Sequence, residues 1–321
     1  MMKPYPLLFV PVMQEKVWGG RSLARFGFDM PDGPIGEAWL IADHPHGTST
    51  VKNGPLAGLG LDEVRERYGR EWFGKKGLSQ RTGRFPLLLK ILDCEDDLSV
   101  QVHPGDDYER LAPGELGKTE MWYVLDAKPG ATILYDLKPG FDRESFSRLI
   151  QEDRIMEGLQ EVPVQPGDAF YIPAGTVHAL RAGVLVVEVQ QNSDTTYRLY
   201  DYNRPGLDGK PRALHIEDSL NVIRYDAQAS KQTTEVPGPN QWLRIAESPY
   251  FLVDKAEIRG RLALATDPDS FQLLVVCEGA GELRWDGESL ALTPGAGILV
   301  PANLGEYALE GELTVLRSSL P

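Results

Sequence analysis

Gln165-Pro166-Gly167-Asp168-Ala169-Phe170-Tyr171-Ile172-Pro173-Ala174 returns near the C-terminus as Thr293-Pro294-Gly295-Ala296-Gly297-Ile298-Leu299-Val300-Pro301-Ala302. In both copies a Pro-Gly turn feeds a short apolar run that stops at Pro-Ala. Proline fixes φ and glycine takes the left-handed turn position, so each copy reads as a tight turn opening a β-strand. An apolar pair follows downstream in each, Ala179-Leu180 and Ala308-Leu309. Upstream, Glu120-Met121-Trp122-Tyr123-Val124-Leu125 aligns with Gln272-Leu273-Leu274-Val275-Val276-Cys277, and a Gly-containing turn and a second strand follow in each. One β unit has been used twice.

The surrounding sequence has the same texture. Twenty-four prolines and 33 glycines punctuate many short apolar runs, which suits a sandwich or barrel of short strands rather than a parallel α/β sheet. Strands are expected at Phe85 to Leu92, Leu98 to His103, Met121 to Leu125, Ala131 to Tyr135, Ala169 to Ile172 and Val184 to Gln190. Helices are few. Leu61 to Phe73 carries Val64, Tyr68 and Trp72 on one face, with Asp62 as candidate N-cap. Phe141 to Leu159 and Leu214 to Ile223 are the other two. The expected fold class is therefore mainly β: a sandwich or barrel of short strands, used twice, with a few short helices. The polar stretch Ala227 to Gln241 reads as a linker. It divides a first domain, 1–230 with helical insertions, from a second barrel, 240–321.

A chain of 321 residues can bury a sizeable core. The formal net charge of −14 argues against nucleic acid and anionic membranes as partners, without forbidding a local basic pocket for an anionic small molecule. The only two cysteines, Cys94 and Cys277, lie in apolar strand-like runs and read as buried free thiols. No apolar stretch reaches membrane-spanning length. Pro4, Pro6 and Pro11 break the first residues, which make no convincing signal peptide. A cytoplasmic protein, a monomer or weak homo-oligomer, is the simplest class.

The two copies differ in chemistry. The first is surrounded by Gln101 and His103 in Ser99-Val100-Gln101-Val102-His103-Pro104, by Glu120 in Gly117-Lys118-Thr119-Glu120, and by His178 in Pro173-Ala174-Gly175-Thr176-Val177-His178. Gln101 and His103, two apart on a strand, point to one face. Two imidazoles, a carboxylate and an amide oxygen form a divalent metal site with a position left open for a ligand. The second copy has Gln272 in place of Glu120 and Glu306 or a neighbour in place of His178. No histidine follows His215. A metal-bearing barrel and a metal-free copy are expected.

The pattern Pro-Gly-Asp…Pro-Ala-Gly-x-x-His resembles the cupin superfamily, which implies a mainly β fold of two jelly-roll barrels with the metal in the mouth of the first. The set Ser-Val-Gln-Val-His-Pro, Gly-Lys-Thr-Glu-Met-Trp-Tyr and Pro-Ala-Gly-Thr-Val-His-Ala-Leu resembles the type I mannose-6-phosphate isomerases in their short bacterial form. Lys16-Val17-Trp18-Gly19-Gly20, Ile35-Gly36-Glu37-Ala38-Trp39, Pro86-Leu87-Leu88-Leu89-Lys90 and Gln191-Asn192-Ser193-Asp194-Thr195-Thr196-Tyr197-Arg198 extend the resemblance over about residues 10 to 205. It implies a zinc-dependent aldose–ketose isomerase, one Zn2+ per chain, that interconverts mannose 6-phosphate and fructose 6-phosphate through a metal-stabilised enediolate. By the same resemblance the zinc ligands fall on Gln101, His103, Glu120 and His178, and the active-site arginine on Arg198. Lys118, Glu188 and Asp194 fall in the pocket, and Lys90 and Ser99 at the phosphate.

The residues suit those roles. An enediolate needs a Lewis acid and a cation for its charge, and a base for the C1/C2 proton. Lys118 and Glu188 are both candidates for the base. Lys90 and Ser99 offer a charge and a hydroxyl to a phosphate. Lys90 inside Leu-Leu-Leu-Lys-Ile implies a buried ammonium, rare unless paired. Asp194 also suits a turn, and Arg198 could pair with Asp201. Trp18 and Glu37 are candidate pocket-lining residues. His44 and His46 read as a surface loop, and His215 as structural. Two other classes compete: a cupin dioxygenase or decarboxylase, which Gln101 in place of a histidine disfavours, and a non-catalytic sugar-binding protein, which the full ligand set disfavours.

Overall fold

The computed structural model describes residues 2–78, 81–226, 231–233 and 236–321. The chain is mainly β, built around three large sheets. Seven strands form the first: in order Lys231–Thr233, Asp168–Ile172, Glu120–Ala127, Val184–Gln191, Leu87–Cys94, Val12–Gly20 and Ile35–Ile41. Five form the second: Leu159–Pro163, Thr132–Leu137, His178–Leu180, Val100–Val102 and Tyr197–Tyr200. These two sheets make the first jelly roll, closed inside by a cluster that includes Trp18, Leu92, Trp122, Ile133, Phe170 and Val186. The third sheet has eight strands, with the 14-residue strands Leu252–Ala265, Gln272–Trp285 and Glu306–Ser319 at its centre. Its own interior is Ile258, Leu274, Leu283, Ile298, Leu309 and Val315, among others.

The N-terminal strand Leu7–Val10 is a member of this C-terminal sheet, with Leu7 opposite Leu299. A shared apolar cluster joins the two jelly rolls. It runs from Leu7 and Phe9 through Trp72, Phe73 and Phe85 to Phe251 and Phe271, with Phe85 and Phe271 rings 4.6 Å apart. Of the expected linker, residues 227–230, 234 and 235 lie outside the described residues; Lys231–Thr233 adds an edge strand against Asp168–Phe170.

The expected strands form, with ends displaced by a few residues. The helices show why local signals mislead. The Leu61–Phe73 helix starts at Gly60, whose N–H donates to the Glu63 carboxylate at 3.0 Å, and Asp62 lies inside the first turn. Phe141 to Leu159 is not one helix. Asp142 caps a nine-residue helix, Arg143–Gln151, by accepting from the Ser145 N–H at 2.8 Å. Asp153 then turns left-handed at φ 56°, a single 3₁₀ turn follows at Ile155–Gly158, and Leu159 opens a strand. Helix periodicity ran through a stop that an aspartate in the left-handed region makes cheaply. The third helix is Ile216–Val222. With Phe146 and Ile223 it covers the outer face of the five-stranded sheet. Both cysteines are free; Cys94 is buried and Cys277 only partly so.

Candidate metal centre and active site

Two rows of side chains, one from each sheet, face each other across the first jelly roll. Register creates them. In the seven-stranded sheet Trp122, Glu188, Lys90 and Trp39 lie directly opposite one another on adjacent strands, so all four project to one face. In the five-stranded sheet His178, Gln101 and Arg198 do the same.

The centre is His103, Glu120 and His178, all buried, with ligand atoms within 4.8 Å of one another. Glu120 Oε1 is 3.3 Å from His178 Nε2, and its Oε2 is 3.6 Å from His103 Nε2. Each ring is oriented from behind: His103 Nδ1 meets the Thr195 carbonyl and His178 Nδ1 the Thr176 carbonyl, both at 2.9 Å. Carbonyl acceptors fix the Nδ1–H tautomer and leave both Nε2 lone pairs aimed at Glu120. Burial pushes His178 down to about 4 and His103 well below its ordinary value, so both rings are neutral at pH 7. Burial, reinforced by Glu188, pushes the Glu120 carboxyl up to about 7. Neutral imidazoles and a carboxylate in need of positive charge are the donor set of a divalent cation. Lys118 adds one charge, its Nζ 3.0 Å from Glu120 and 3.1 Å from His103 Nε2. Gln101 Nε2 is 3.4 Å from His178 Nε2, and its Oε1 accepts from the Ser99 hydroxyl at 3.4 Å.

Above the triad lies a polar cavity. It is lined by Lys90, Ser99, Gln101, Lys118, Glu188, Asp194 and Arg198, and by Trp18 and Glu37. Lys16, Thr196 and Arg212 also line it. Sequence reading passed over these three. Lys16 stands two residues before Trp18 on one strand, a signal that alternation offered; Arg212 sits in an irregular loop and offered none.

Lys90 is almost fully buried between Glu188 Oε1 at 3.3 Å and Glu37 Oε2 at 3.5 Å, with Trp39 5.1 Å below it. Burial opposes its charge, but Glu37 and Glu188 overcome that and raise its pKa. Burial likewise opposes the Glu37 charge, while Lys16 and Lys90 and the Trp39 indole N–H hold it well below the ordinary carboxylate range. Trp122 Nε1 donates to Glu188 Oε2 at 2.8 Å, and the second oxygen, Oε1, is the one that faces Lys90 Nζ at 3.3 Å. Gly36 allows the close packing that sets Glu37 here: a Cβ on it would fall 2.6 Å from the Trp18 ring.

Asp201 is paired with Arg204 and Arg212, not with Arg198. Arg198 instead has its backbone clamped by His215, whose N–H donates to the Arg198 carbonyl at 2.8 Å and whose Nδ1 accepts from the Arg198 N–H at 3.2 Å. The expected surface loop is corrected in part. His44 is buried, while exposed His46 reaches Asp194 at 2.9 Å.

A jelly roll holding a buried His–Glu–His triad beneath a charged cavity defines a cupin-type metal-site enzyme. Residues 7–128 match the family model of the phosphomannose isomerase type I catalytic domain, and residues 243–320 that of the mannose-6-phosphate isomerase cupin domain. The chain is 41% identical over 322 residues to the mannose-6-phosphate isomerase ManA of Bacillus subtilis (strain 168), covering 99% of this chain and 100% of the relative. The crystal structure of a mannose 6-phosphate isomerase from Bacillus subtilis superimposes with a TM-score of 0.90 at 38% identity, over 98% of this chain and 99% of that one. A zinc-bound mannose 6-phosphate isomerase shares the fold, with a TM-score of 0.77 at 17% identity over 98% of each chain. The chain belongs to the type I phosphomannose isomerase family and is an isomerase of that family.

Proposed function

We propose that the enzyme interconverts mannose 6-phosphate and fructose 6-phosphate in the cytosol, with one Zn2+ held by His103, Glu120 and His178 and with Gln101 as fourth ligand. The observation that carries this reading is the buried triad of neutral imidazoles and carboxylate under a cavity that holds both cations and carboxylates. When bound, zinc supplies a Lewis acid that polarises substrate oxygens at C1 and C2. The residues supply the rest. Glu188, held by Trp122 and Lys90 in the cavity wall, acts as the proton acceptor and returns the proton to the neighbouring carbon. Arg198, anchored through its backbone by His215, lends positive charge to the enediolate oxygens. Lys118 adds charge beside Glu120 and is the alternative proton carrier. Asp194 holds sugar hydroxyls, and Lys90 and Ser99 line the same cavity.

A coupled assay of mannose 6-phosphate conversion tests this, run before chelation, after chelation and after zinc restoration. Activity that vanishes with the metal and returns with zinc is the expected result. Zinc-loaded protein without turnover overturns the substrate. Glu188→Gln is expected to lower kcat by about a thousandfold while KM moves little; if Lys118→Met does so instead, the base is Lys118.

A further inference from the structure

We infer that Arg212 is the residue that recognises the substrate's phosphate, a specificity determinant at the far end of the cavity; this rests on the sugar-phosphate reading of the site. The ammonium groups of the cavity are all paired with carboxylates of the protein. Lys90 is enclosed by Glu37 and Glu188, Lys16 sits 3.3 Å from Glu37, and Lys118 sits on Glu120. Each of these ammonium groups has a carboxylate in the wall or floor. Among the described residues, Arg198 and Arg212 are the two guanidinium groups that line the same cavity. They are near enough that Arg212 depresses the Arg198 pKa, after burial itself.

Strand register orders the two along the cavity. Arg198 lies opposite Gln101, in the row that contains the metal ligand His178. Tyr200 lies opposite Val100, so Asp201 comes level with Ser99, about one side-chain repeat, roughly 7 Å, further from the metal. Buried Asp201 grips Arg212 through two bonds, from Nε at 2.7 Å and from Nη2 at 2.5 Å. That grip uses one edge of the guanidinium, Nε and Nη2, and the side chain lines the cavity with Ser99 and Thr196 among the same walls. An open-chain hexose 6-phosphate has this polarity: reacting carbons at one end, dianion four carbons away. A planar guanidinium fixed by a buried carboxylate is a preorganised receptor for phosphate oxygens.

The test is steady-state kinetics on the zinc-loaded enzyme with mannose 6-phosphate, and competition by inorganic phosphate. Wild-type turnover establishes the underlying reading; its absence would sink that reading and this one together. Given turnover, Arg212→Ala is expected to raise KM and the inhibition constant of phosphate together, by about ten- to a hundredfold, with kcat within about threefold. Arg212→Lys keeps the charge without the fork and should fall between. Because Asp201 retains Arg204, both variants should fold, and a melting curve checks this. A folded Arg212→Ala enzyme with unchanged KM and unchanged phosphate inhibition overturns the assignment, and so does a fall in kcat at constant KM. Should Arg212→Ala fail to fold, Arg212→Lys with wild-type phosphate inhibition overturns it alone.

Discussion

The two jelly rolls share a turn and a register and differ at their mouths. Gly167 and Gly295 are both left-handed, at φ 93° and 81°. Their N–H groups donate to Val124 and Val276 at 2.9 and 2.8 Å, the aligned positions of the preceding strands. Ile172 faces Glu120, and Val300 faces Gln272. At the place of His178 the second copy has Tyr307, the neighbour of Glu306, again one residue before the apolar pair. Its hydroxyl donates to Gln272 Oε1 at 2.5 Å, and Gln272 Nε2 donates to the Ala265 carbonyl at 3.2 Å. A phenol and a carbonyl satisfy a neutral amide. The first mouth buries a carboxylate, which demands cationic company. The scaffold is indifferent to function; a few side chains decide it.

Glu120→Gln breaks the comparison most severely, since it gives the first mouth the residue of the second. Zinc affinity is expected to fall more than about a hundredfold and kcat about a thousandfold or more. Metal content after dialysis and the isomerase assay check this; retention of both would mean that Glu120 is not a ligand. The apo-protein should lose stability as well, because the buried Lys118 ammonium is left without its carboxylate partner. Zinc itself sharpens the same contrast. At a thousandfold excess over its dissociation constant, zinc should stabilise the wild-type chain by about 4 kcal/mol and leave Glu120→Gln nearly unmoved. Paired melting curves with chelator and with zinc read the difference.

Much of this was legible in the sequence because its signals are local. The repeated Pro-Gly turn marked a strand in each copy, and two-residue spacing set Gln101 and His103 on one face. Lys90 stood out because an ammonium among leucines needs partners, and it has two. What could not be read was distant. Nothing near Arg212 says that Asp201 will hold it over the cavity, and nothing near His46 says that Asp194 will come within 2.9 Å. Nor does the N-terminal sequence say that Leu7–Val10 completes the second copy's sheet, a pairing across nearly the whole chain. Arg198 and Asp201 looked like partners because they are close in sequence, yet Arg204 and Arg212 take that carboxylate.

Acid should separate the two copies further, because all five histidines precede the second one. His44, buried 5.8 Å from the Trp39 ring, has a pKa pushed down to about 4, chiefly by burial. Unfolded, it titrates near 6.5. Between these values the unfolded chain binds a proton that the folded chain refuses. The stability His44 contributes is therefore complete above pH 6.5 and drains away as pH falls towards 4. The loss is about 1–3 kcal/mol. Denaturant midpoints measured across that window should fall with acid in wild type and fall less in His44→Gln. Equal slopes would remove His44 from the account.

The smallest effect expected is the most pointed about the second mouth. Tyr307→Phe keeps the ring and deletes the hydroxyl, so Gln272 Oε1 loses its donor. One such bond contributes about 1 kcal/mol net, visible as a modest shift of the denaturant midpoint at unchanged slope. If the second copy serves as structure, kcat and KM stay at wild-type values, because among the described residues none of that mouth lines the catalytic cavity. A fall in kcat would give the comparison a different meaning. The shared cluster from Phe73 through Phe85 to Phe271 would then be transmitting strain between the mouths, and the metal-free copy would be part of the catalytic apparatus.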